Sequence, residues 1–382
     1  MKKNFLFRLS AIAMSLILVA CGGSTSEDVV ENETTAIESE ESLNVVVTTP
    51  MLGEFVKQVA GDSVVLDILM PAEADPHTYD PSPQDAAKIA DADIVLYVGI
   101  KYETSSLLKL IENTASTNAT LLEIGEEIDP IEFIDGERDH GHHDDHDEEG
   151  HDDDKDHDHD DEDGHDDHDD EDGHDDHDEE GHDDEDGHDD HDEEGHEGHE
   201  GHDHGSEDPH FWFDPVRVAM AVEVIKDSLV SLDPANSSTY EANADNFISE
   251  LTDLDAQVKE LIESVSEDNR KIVTTHEALG YLEARYGIEI FATIIPSLST
   301  ADEISPSQIA DVIDVIEDNN IKVLFVESEA PSVYAETVVA EAGITAVTGL
   351  YVETLKDGQT YSDFLISNVT LIVESLNSAG EG

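Results

Sequence analysis

The sequence predicts an α/β protein of two lobes, each with a four-stranded, mostly parallel sheet flanked by helices, and one long helix joining them. Short β-branched runs alternate with helix-like segments, which is typical of parallel α/β layers. Four such runs precede the longest helical pattern and four follow it. The predicted strands are 44–49, 64–70, 93–99 and 120–124 in the first half, and 271–275, 289–294, 322–327 and 344–348 in the second.

Residues 239–266 are the predicted linking helix. From Tyr240 to Val265, apolar residues recur every three or four positions and keep one stripe on one face. A helix of this length would be about 39 Å long, enough to run along both lobes as a spine. The alternative, a helix that belongs wholly to one lobe, stays open on the pattern alone.

Residues 1–20 have a basic start and a short apolar run, which predicts a secretory signal peptide. The following "LVAC" resembles a bacterial lipobox, so we expect cleavage before Cys21, lipidation of Cys21 and a protein at the periplasm or the outer face of the cell membrane. The alternative is an ordinary signal peptide. Residues 21–43 are polar and acidic, typical of a flexible tether.

Residues 139–207 consist almost entirely of Asp, Glu, Gly and His. Such a tract has no apolar surface to bury, so we expect a disordered loop inserted in the first lobe, 44–238, with the second lobe at 270–382. Imidazoles beside carboxylates can bind several divalent cations weakly, so the loop is interpreted as collecting or sensing metal. A solvated acidic spacer is the alternative.

The formal net charge is −79, and about half of it lies outside the tract. Nucleic acids and anionic lipid surfaces require a basic face, so neither is an expected partner. Cations are the natural ligands of this chain.

Three of the 21 histidines lie outside the stretch from 140 to 204, namely His77, His210 and His276. A single histidine is more often a surface or core residue than a ligand. These three, however, are predicted between strands and helices, where open α/β layers bind ligands. They could converge on a Zn²⁺ ion in a cleft between the lobes, with a carboxylate or water as fourth ligand. Because only unprotonated imidazole binds metal, capture should weaken at low pH.

Five segments resemble the zinc and manganese solute-binding lipoproteins of bacterial ABC importers. They are "DPHTYDPSPQDAAKIADADIVLYVG", "DPHFWFDP", "THEALGYLEARYG", "FVESEAPSVYAETVVAEAG" and "YSDFLISNVTLIVESL". The resemblance runs from about residue 44 to 376, and the acidic tract looks like the histidine-rich loop of the zinc-binding members. It implies two α/β lobes, a connecting helix, a metal in the interlobe cleft and delivery of that metal to a membrane permease.

The resemblance implies that His77, His210 and His276 are the first three metal ligands. The similar manganese binders usually have a carboxylate at the third position, so His276, a softer ligand, favours Zn²⁺ over Mn²⁺. The fourth position commonly holds Asp, whereas "GLYVETLKDG" places Glu353 there. Asp357 and a water molecule are the alternatives to Glu353.

Other residues near these positions are predicted to have roles other than metal binding. Asp214 is predicted to cap the following helix, and Glu277 should point away from the metal. Glu327 resembles a family glutamate that supports a ligand or bridges the lobes without binding metal. Phe211 and Trp212 are predicted to pack beside the site.

The sequence favours capture over catalysis, because a site closed by four protein ligands lacks the open position of hydrolytic zinc and no HExxH motif is present. Three histidines plus water would instead resemble a catalytic centre. A manganese-importer component and a surface zinc store or adhesin are further alternatives. The expected partner is an ABC permease, and the protein is expected to be a monomer.

Overall fold

The computed structural model describes residues 42–133, 207–329 and 333–380, and every helix, strand and contact counted in the fold lies in these ranges. The predicted signal peptide and Cys21 lie outside these residues, as does the acidic tract except for Glu207. Residues 42–382 cluster as one compact unit. No helix in the described ranges is both long enough and apolar enough to span a bilayer.

Two four-stranded sheets, both wholly parallel, form the framework. All eight predicted strands are present in the described residues, with ends shifted by at most two positions. They are β1 Leu43–Val47, β2 Val64–Ile68, β3 Ile94–Tyr97, β4 Thr120–Glu123, β5 Lys271–His276, β6 Glu289–Ile295, β7 Val323–Glu327 and β8 Thr345–Leu350. The strand orders are β2-β1-β3-β4 and β6-β5-β7-β8, so the predicted fold class is confirmed.

Helices follow the strands and cover both faces of each sheet. They are α1 Pro50–Ala60, α2 Pro83–Asp91, α3 Ser105–Thr114, α4 Pro215–Leu232, α5 Ser237–Glu263, α6 Gly280–Tyr286, α7 Pro306–Asp318, α8 Val333–Ala342 and α9 Tyr361–Gly380. We call the first sheet with α1–α4 the first lobe, and the second sheet with α6–α9 the second lobe.

Four helices begin with the same chemistry, a short polar side chain followed by proline. Proline is preorganised for the first helical position, and the preceding side chain accepts a hydrogen bond from an otherwise unpaired backbone N–H. The pairs are Thr49–Pro50, Ser82–Pro83, Asp214–Pro215 and Ser305–Pro306. The predicted cap at Asp214 is confirmed, because its Oδ1 accepts from the backbone N–H of Val216 at 2.9 Å.

The central strand β1 shows why apolar side chains occur on both faces of a strand. Val45 and Val47 pack into the cluster that contains Phe55 of α1, whereas Val46 packs on the opposite face with residues of α2 and α3. Successive side chains of a strand point to opposite faces, so a strand covered by helices on both sides carries apolar side chains on both faces.

The helix α5 spans 27 residues and begins two residues before the predicted start. Its buried side chains follow the predicted stripe and comprise Tyr240, Ala244, Phe247, Leu251, Leu254, Val258 and Ile262. It contacts α1 and α4 of the first lobe and α9 of the second. The alternative of a helix within one lobe therefore does not describe the structure.

Candidate metal centre

Four side chains from distant parts of the chain meet where the two sheets end. His77 lies in the loop between β2 and α2, and His210 precedes α4 by a short 3₁₀ turn. His276 is the last residue of β5, and Glu353 follows β8. Carboxyl ends of parallel strands are the usual ligand-binding edge of an open α/β sheet. The structure thus brings together the three predicted histidines and the favoured carboxylate.

The three imidazoles surround one carboxylate oxygen, Oε1 of Glu353. The Nε2 atoms of His77, His210 and His276 lie 3.5, 3.4 and 2.6 Å from it. One ligand atom from each of the four residues lies within 4.8 Å of every other. Ligands placed tetrahedrally about 2.0–2.1 Å from a zinc ion are about 3.3–3.4 Å apart, so two of the three distances already match a shared ion.

Apart from one another, these ligand atoms have no hydrogen-bond partner among the described residues, although all are buried. The unpaired atoms comprise the three Nε2 atoms and both carboxylate oxygens of Glu353. Burying such groups without a partner costs about 1–3 kcal/mol each, and a cation bound between them would remove that cost. The donor set of three neutral nitrogens and one carboxylate fits a divalent metal.

His210 is oriented by Asp208, two residues earlier. Oδ1 of Asp208 lies 2.8 Å from both the backbone nitrogen and Nδ1 of His210. A Cβ atom on Gly280 would lie 2.5 Å from Oδ2 of Asp208, so glycine at 280 leaves room for this carboxylate. A partner on Nδ1 fixes the ring and keeps Nε2 available as a ligand atom.

His276 is oriented by Glu327, the last residue of β7. Oε2 of Glu327 makes a short contact with Nδ1 of His276, while Oε1 accepts the backbone N–H groups of Thr275 and His276 at 3.2 Å. Glu327 therefore supports a candidate ligand, the role predicted for it. Glu277 accepts a hydrogen bond from Thr293 at 3.0 Å and is absent from the cluster, as predicted.

The charges of the cluster shift the pKa values of its members in opposite directions. Burial alone would raise the pKa of Glu353, but His210 and His77 outweigh it and hold that pKa well below its usual value. Burial lowers the pKa of His210, yet Glu353 and Asp208 raise it overall to about 9. For His276, Glu327 and Glu353 likewise outweigh burial, and its pKa lies well above the usual value. Without metal, protons therefore compensate the buried carboxylates.

Aromatic side chains close the cluster and join the lobes. The ring of Tyr102 lies 5.2 Å from that of His77, and its hydroxyl donates to the backbone carbonyl of Glu353 at 2.9 Å. Trp212 lies 5.5 Å from His210 and donates from Nε1 to the carbonyl of Val352 at 2.7 Å. The loops that carry candidate ligands are thus held together by hydrogen bonds across the lobe boundary.

Tyr102 follows a strained stretch of backbone. Ile100 and Lys101 have backbone φ values of 50° and 60°, which residues other than glycine rarely adopt. Oε1 of Glu123 accepts the backbone N–H of Ile100 at 2.9 Å, and the oxygens of Glu103 accept those of the preceding Val98 and Gly99 at 2.8 and 2.9 Å. Strain of this kind costs about 1–3 kcal/mol per residue and concentrates at functional sites. Here it places Tyr102 against His77.

Two predicted neighbours lie elsewhere. Asp357, the alternative fourth ligand, is exposed and outside the cluster. Phe211 contacts Phe55 of α1, with ring centroids 6.3 Å apart, as well as Trp212, so it belongs to the first-lobe core. Its neighbour Trp212 takes the position beside the site because the 3₁₀ turn directs consecutive side chains differently.

Sequence reasoning missed Tyr102 and both aspartates of a repeated "DPH" segment. In each copy Oδ1 of the aspartate accepts the backbone N–H of the histidine, at 2.9 Å for His77 and 2.8 Å for His210. Asp75 also accepts a hydrogen bond from Thr300 of the second lobe at 2.6 Å. The repeated segment could have indicated this role of the aspartates, because an Asp side chain commonly bonds the backbone two residues on.

Two facing parallel sheets with a buried imidazole–carboxylate cluster between them define a metal-binding solute-binding protein. The chain belongs to the family described as zinc-uptake complex component A, periplasmic, whose model matches residues 45–375. It is accordingly the extracytoplasmic, metal-binding substrate-binding protein of an ABC importer, a transport protein and not an enzyme. The resemblance that the sequence motifs indicated is confirmed.

Similar proteins carry the names of several metals. The manganese-binding lipoprotein MntA of Halalkalibacterium halodurans is 24% identical, over 98% of this chain and 99% of the relative. The iron ABC transporter substrate-binding lipoprotein MtsA of Streptococcus pyogenes serotype M1 is also 24% identical, with the same coverage. The periplasmic zinc-binding protein TroA from Treponema pallidum superposes with a TM-score of 0.64 at 21% identity, covering 87% of this chain and 98% of TroA, which shows the shared fold.

Proposed function

We propose that His77, His210, His276 and Glu353 bind one Zn²⁺ ion, which the protein delivers to its permease. The observation that carries this proposal is the convergence of three unpaired, buried Nε2 atoms on one carboxylate oxygen. Glu327 and Asp208 each contact one imidazole on the side that faces away from the centre. Loss of such a partner typically lowers metal affinity about 10- to 100-fold.

The chemistry of the donors supports zinc as the metal. Three imidazoles and one carboxylate suit zinc, whereas manganese is better served by oxygen ligands. The names of the relatives MntA and MtsA favour manganese or iron as the alternative cargo. A titration with both metals separates these possibilities only if the acidic tract is removed, because its 18 histidines would bind metal as well.

We expect one tight, zinc-preferring site to survive replacement of residues 139–204 by a short Gly-Ser linker. The ends of the tract are already adjacent, because Glu132 and Glu207 form an antiparallel bridge and Asp208 donates its N–H to Ile131 at 3.0 Å. Calorimetric titration with Zn²⁺ and Mn²⁺ should show one tight zinc site and the loss of the weak ones. Absence of the tight site in a folded variant would contradict the proposal, and equal or stronger manganese binding would move the assignment to the alternative cargo.

The tract itself is proposed to gather zinc for the centre or to sense its abundance. Its histidine content supports metal binding, with a solvated spacer as the alternative. If the tract supplies the centre, its removal should slow zinc uptake at limiting zinc without changing the affinity of the tight site. A surface zinc store or adhesin is the second candidate function, and for it growth under zinc chelation would not depend on the protein.

Cys21 is proposed to carry a lipid that tethers the monomeric protein to the membrane. The "LVAC" segment and the lipoprotein names of the relatives support this. Cys21→Ser should move the protein from the membrane fraction to the soluble extracytoplasmic fraction, as measured by fractionation and immunoblotting. Unchanged membrane association of Cys21→Ser would argue for another form of attachment.

A further inference from the structure

Glu329 lies on the segment that leaves β7, outside the four-residue cluster. It follows β7 by two residues, and its neighbour Ser328 donates its N–H to the carbonyl of Leu350 at 2.8 Å. The chain leaving β7 therefore runs next to the chain leaving β8, which reaches Glu353 three residues later. Glu327, two residues before Glu329, directs its carboxylate at His276.

The carboxylate of Glu329 is buried and has no hydrogen-bond partner among the described residues. Among the described residues, the other buried side-chain atoms without a hydrogen-bond partner all belong to the four-residue cluster. Its charge acts on both Glu353 and Tyr102. By contrast, the buried carboxylate of Glu103 is satisfied by Thr48, Val98 and Gly99. A buried carboxylate without a partner is costly, and next to a second carboxylate it is more so.

We propose that Glu329 is a further oxygen ligand of the centre, used by cations that take more than four ligands. The inference rests on the proposed four-residue site and adds a determinant of specificity to it. Zinc is satisfied by the three imidazoles and Glu353. Manganese and ferrous iron favour oxygen donors and higher coordination numbers, and a second carboxylate beside the ion meets both requirements. Glu329 thus decides how well the centre accepts a harder metal.

The test compares Glu329→Gln with the tract-shortened parent, using Zn²⁺, Mn²⁺ and Co²⁺. We expect manganese affinity to fall at least tenfold while zinc affinity changes by less than threefold. The visible spectrum of bound Co²⁺ should become more intense, because four-coordinate cobalt absorbs more strongly than five-coordinate cobalt. Unchanged manganese affinity together with an unchanged cobalt spectrum would overturn the proposal.

Thermal unfolding of the metal-free protein separates this role from a structural one. Glu329→Gln should unfold at a temperature no lower than that of the parent, because the substitution removes a buried carboxyl group that makes no hydrogen bond among the described residues. Glu103→Gln should unfold at a lower temperature, because its carboxylate is fully hydrogen-bonded. A lower unfolding temperature for Glu329→Gln would assign it a structural role and overturn the proposal.

Glu336→Gln on the exposed face of α8 is the matched control, and it should alter neither metal affinity nor the cobalt spectrum. The result also remains distinct from failure of the proposed function. If the tract-shortened parent binds zinc tightly and Glu329→Gln changes nothing, the four-residue site stands and only the role of Glu329 falls. If the parent itself binds no metal tightly, the four-residue site falls with it.

Discussion

His77→Ala is expected to lower the zinc affinity of the tract-shortened protein about 100- to 1000-fold. Structural zinc sites bind with apparent free energies of about 10–16 kcal/mol, so one ligand of four accounts for about 2.5–4 kcal/mol, and each 1.4 kcal/mol is about tenfold in affinity. The measurement is competition with a chelator of known zinc affinity, on protein shown by circular dichroism to be folded.

His77 gives a cleaner test than the other two histidines. Removing His210 or His276 would leave Asp208 or Glu327 buried beside a missing imidazole, which commonly destabilises a protein by about 3–5 kcal/mol. The described contacts of the His77 ring are instead with Glu353 and neighbouring aromatic and imidazole rings. Its removal therefore weakens the metal site more than the fold.

The fourth ligand can be tested with a matched pair of variants on one segment. Glu353→Ala should weaken zinc binding to an extent similar to His77→Ala, because its Oε1 faces all three imidazoles. Asp357→Asn should bind zinc like the parent, since Asp357 is exposed. Parent-like binding by a folded His77→Ala variant, or a large effect of Asp357→Asn, would show that the metal is held elsewhere.

The second large effect is a rise of zinc affinity with pH, and we expect this rise to continue above neutrality. In the metal-free protein the pKa of His210 is about 9 and that of His276 is raised well above its usual value. Zinc must displace these protons, since only unprotonated imidazole binds it. Affinity should therefore keep rising from about pH 6.5 towards pH 9, by about one to two decades per pH unit when one or two protons are released.

The stability of the metal-free protein should change with pH in the opposite direction. A histidine whose pKa is raised by folding stabilises the native state fully below its unfolded pKa, about 6.5, and that contribution is lost as pH rises through the folded pKa. For His210 the contribution is a few kcal/mol, at about 1.4 kcal/mol per unit of pKa difference. Unfolding of metal-free protein between pH 6.5 and 9 should thus require less denaturant as pH rises.

Both pH effects can be measured on one set of samples. Zinc affinity and denaturant midpoints of the tract-shortened protein, recorded at the same pH values, should show opposite trends. An affinity that reaches its plateau near pH 7 would mean that the imidazoles titrate as they do in an unfolded chain. In that case Glu353 and Glu327 would not hold protons on the histidines in the absence of metal.

The sequence by itself determined the framework, because the signals for it are local. Each strand is a β-branched run, four helix starts carry a capping residue followed by proline, and the stripe on α5 is set by helical periodicity. His77, His210 and His276 could be singled out because so few histidines lie outside the acidic tract. Their positions between predicted elements then indicated one edge of each sheet.

The tertiary structure alone decided how those residues form a centre. Glu353 and Asp357 lie four residues apart with the same functional group, and only folding buries one among the imidazoles and leaves the other exposed. The support that Glu327 gives His276, the closure by Tyr102 and the raised pKa of His210 all depend on distances between residues far apart in the chain. Burial and electrostatic interactions depend on those distances, so a pattern read along the chain contains no measure of them.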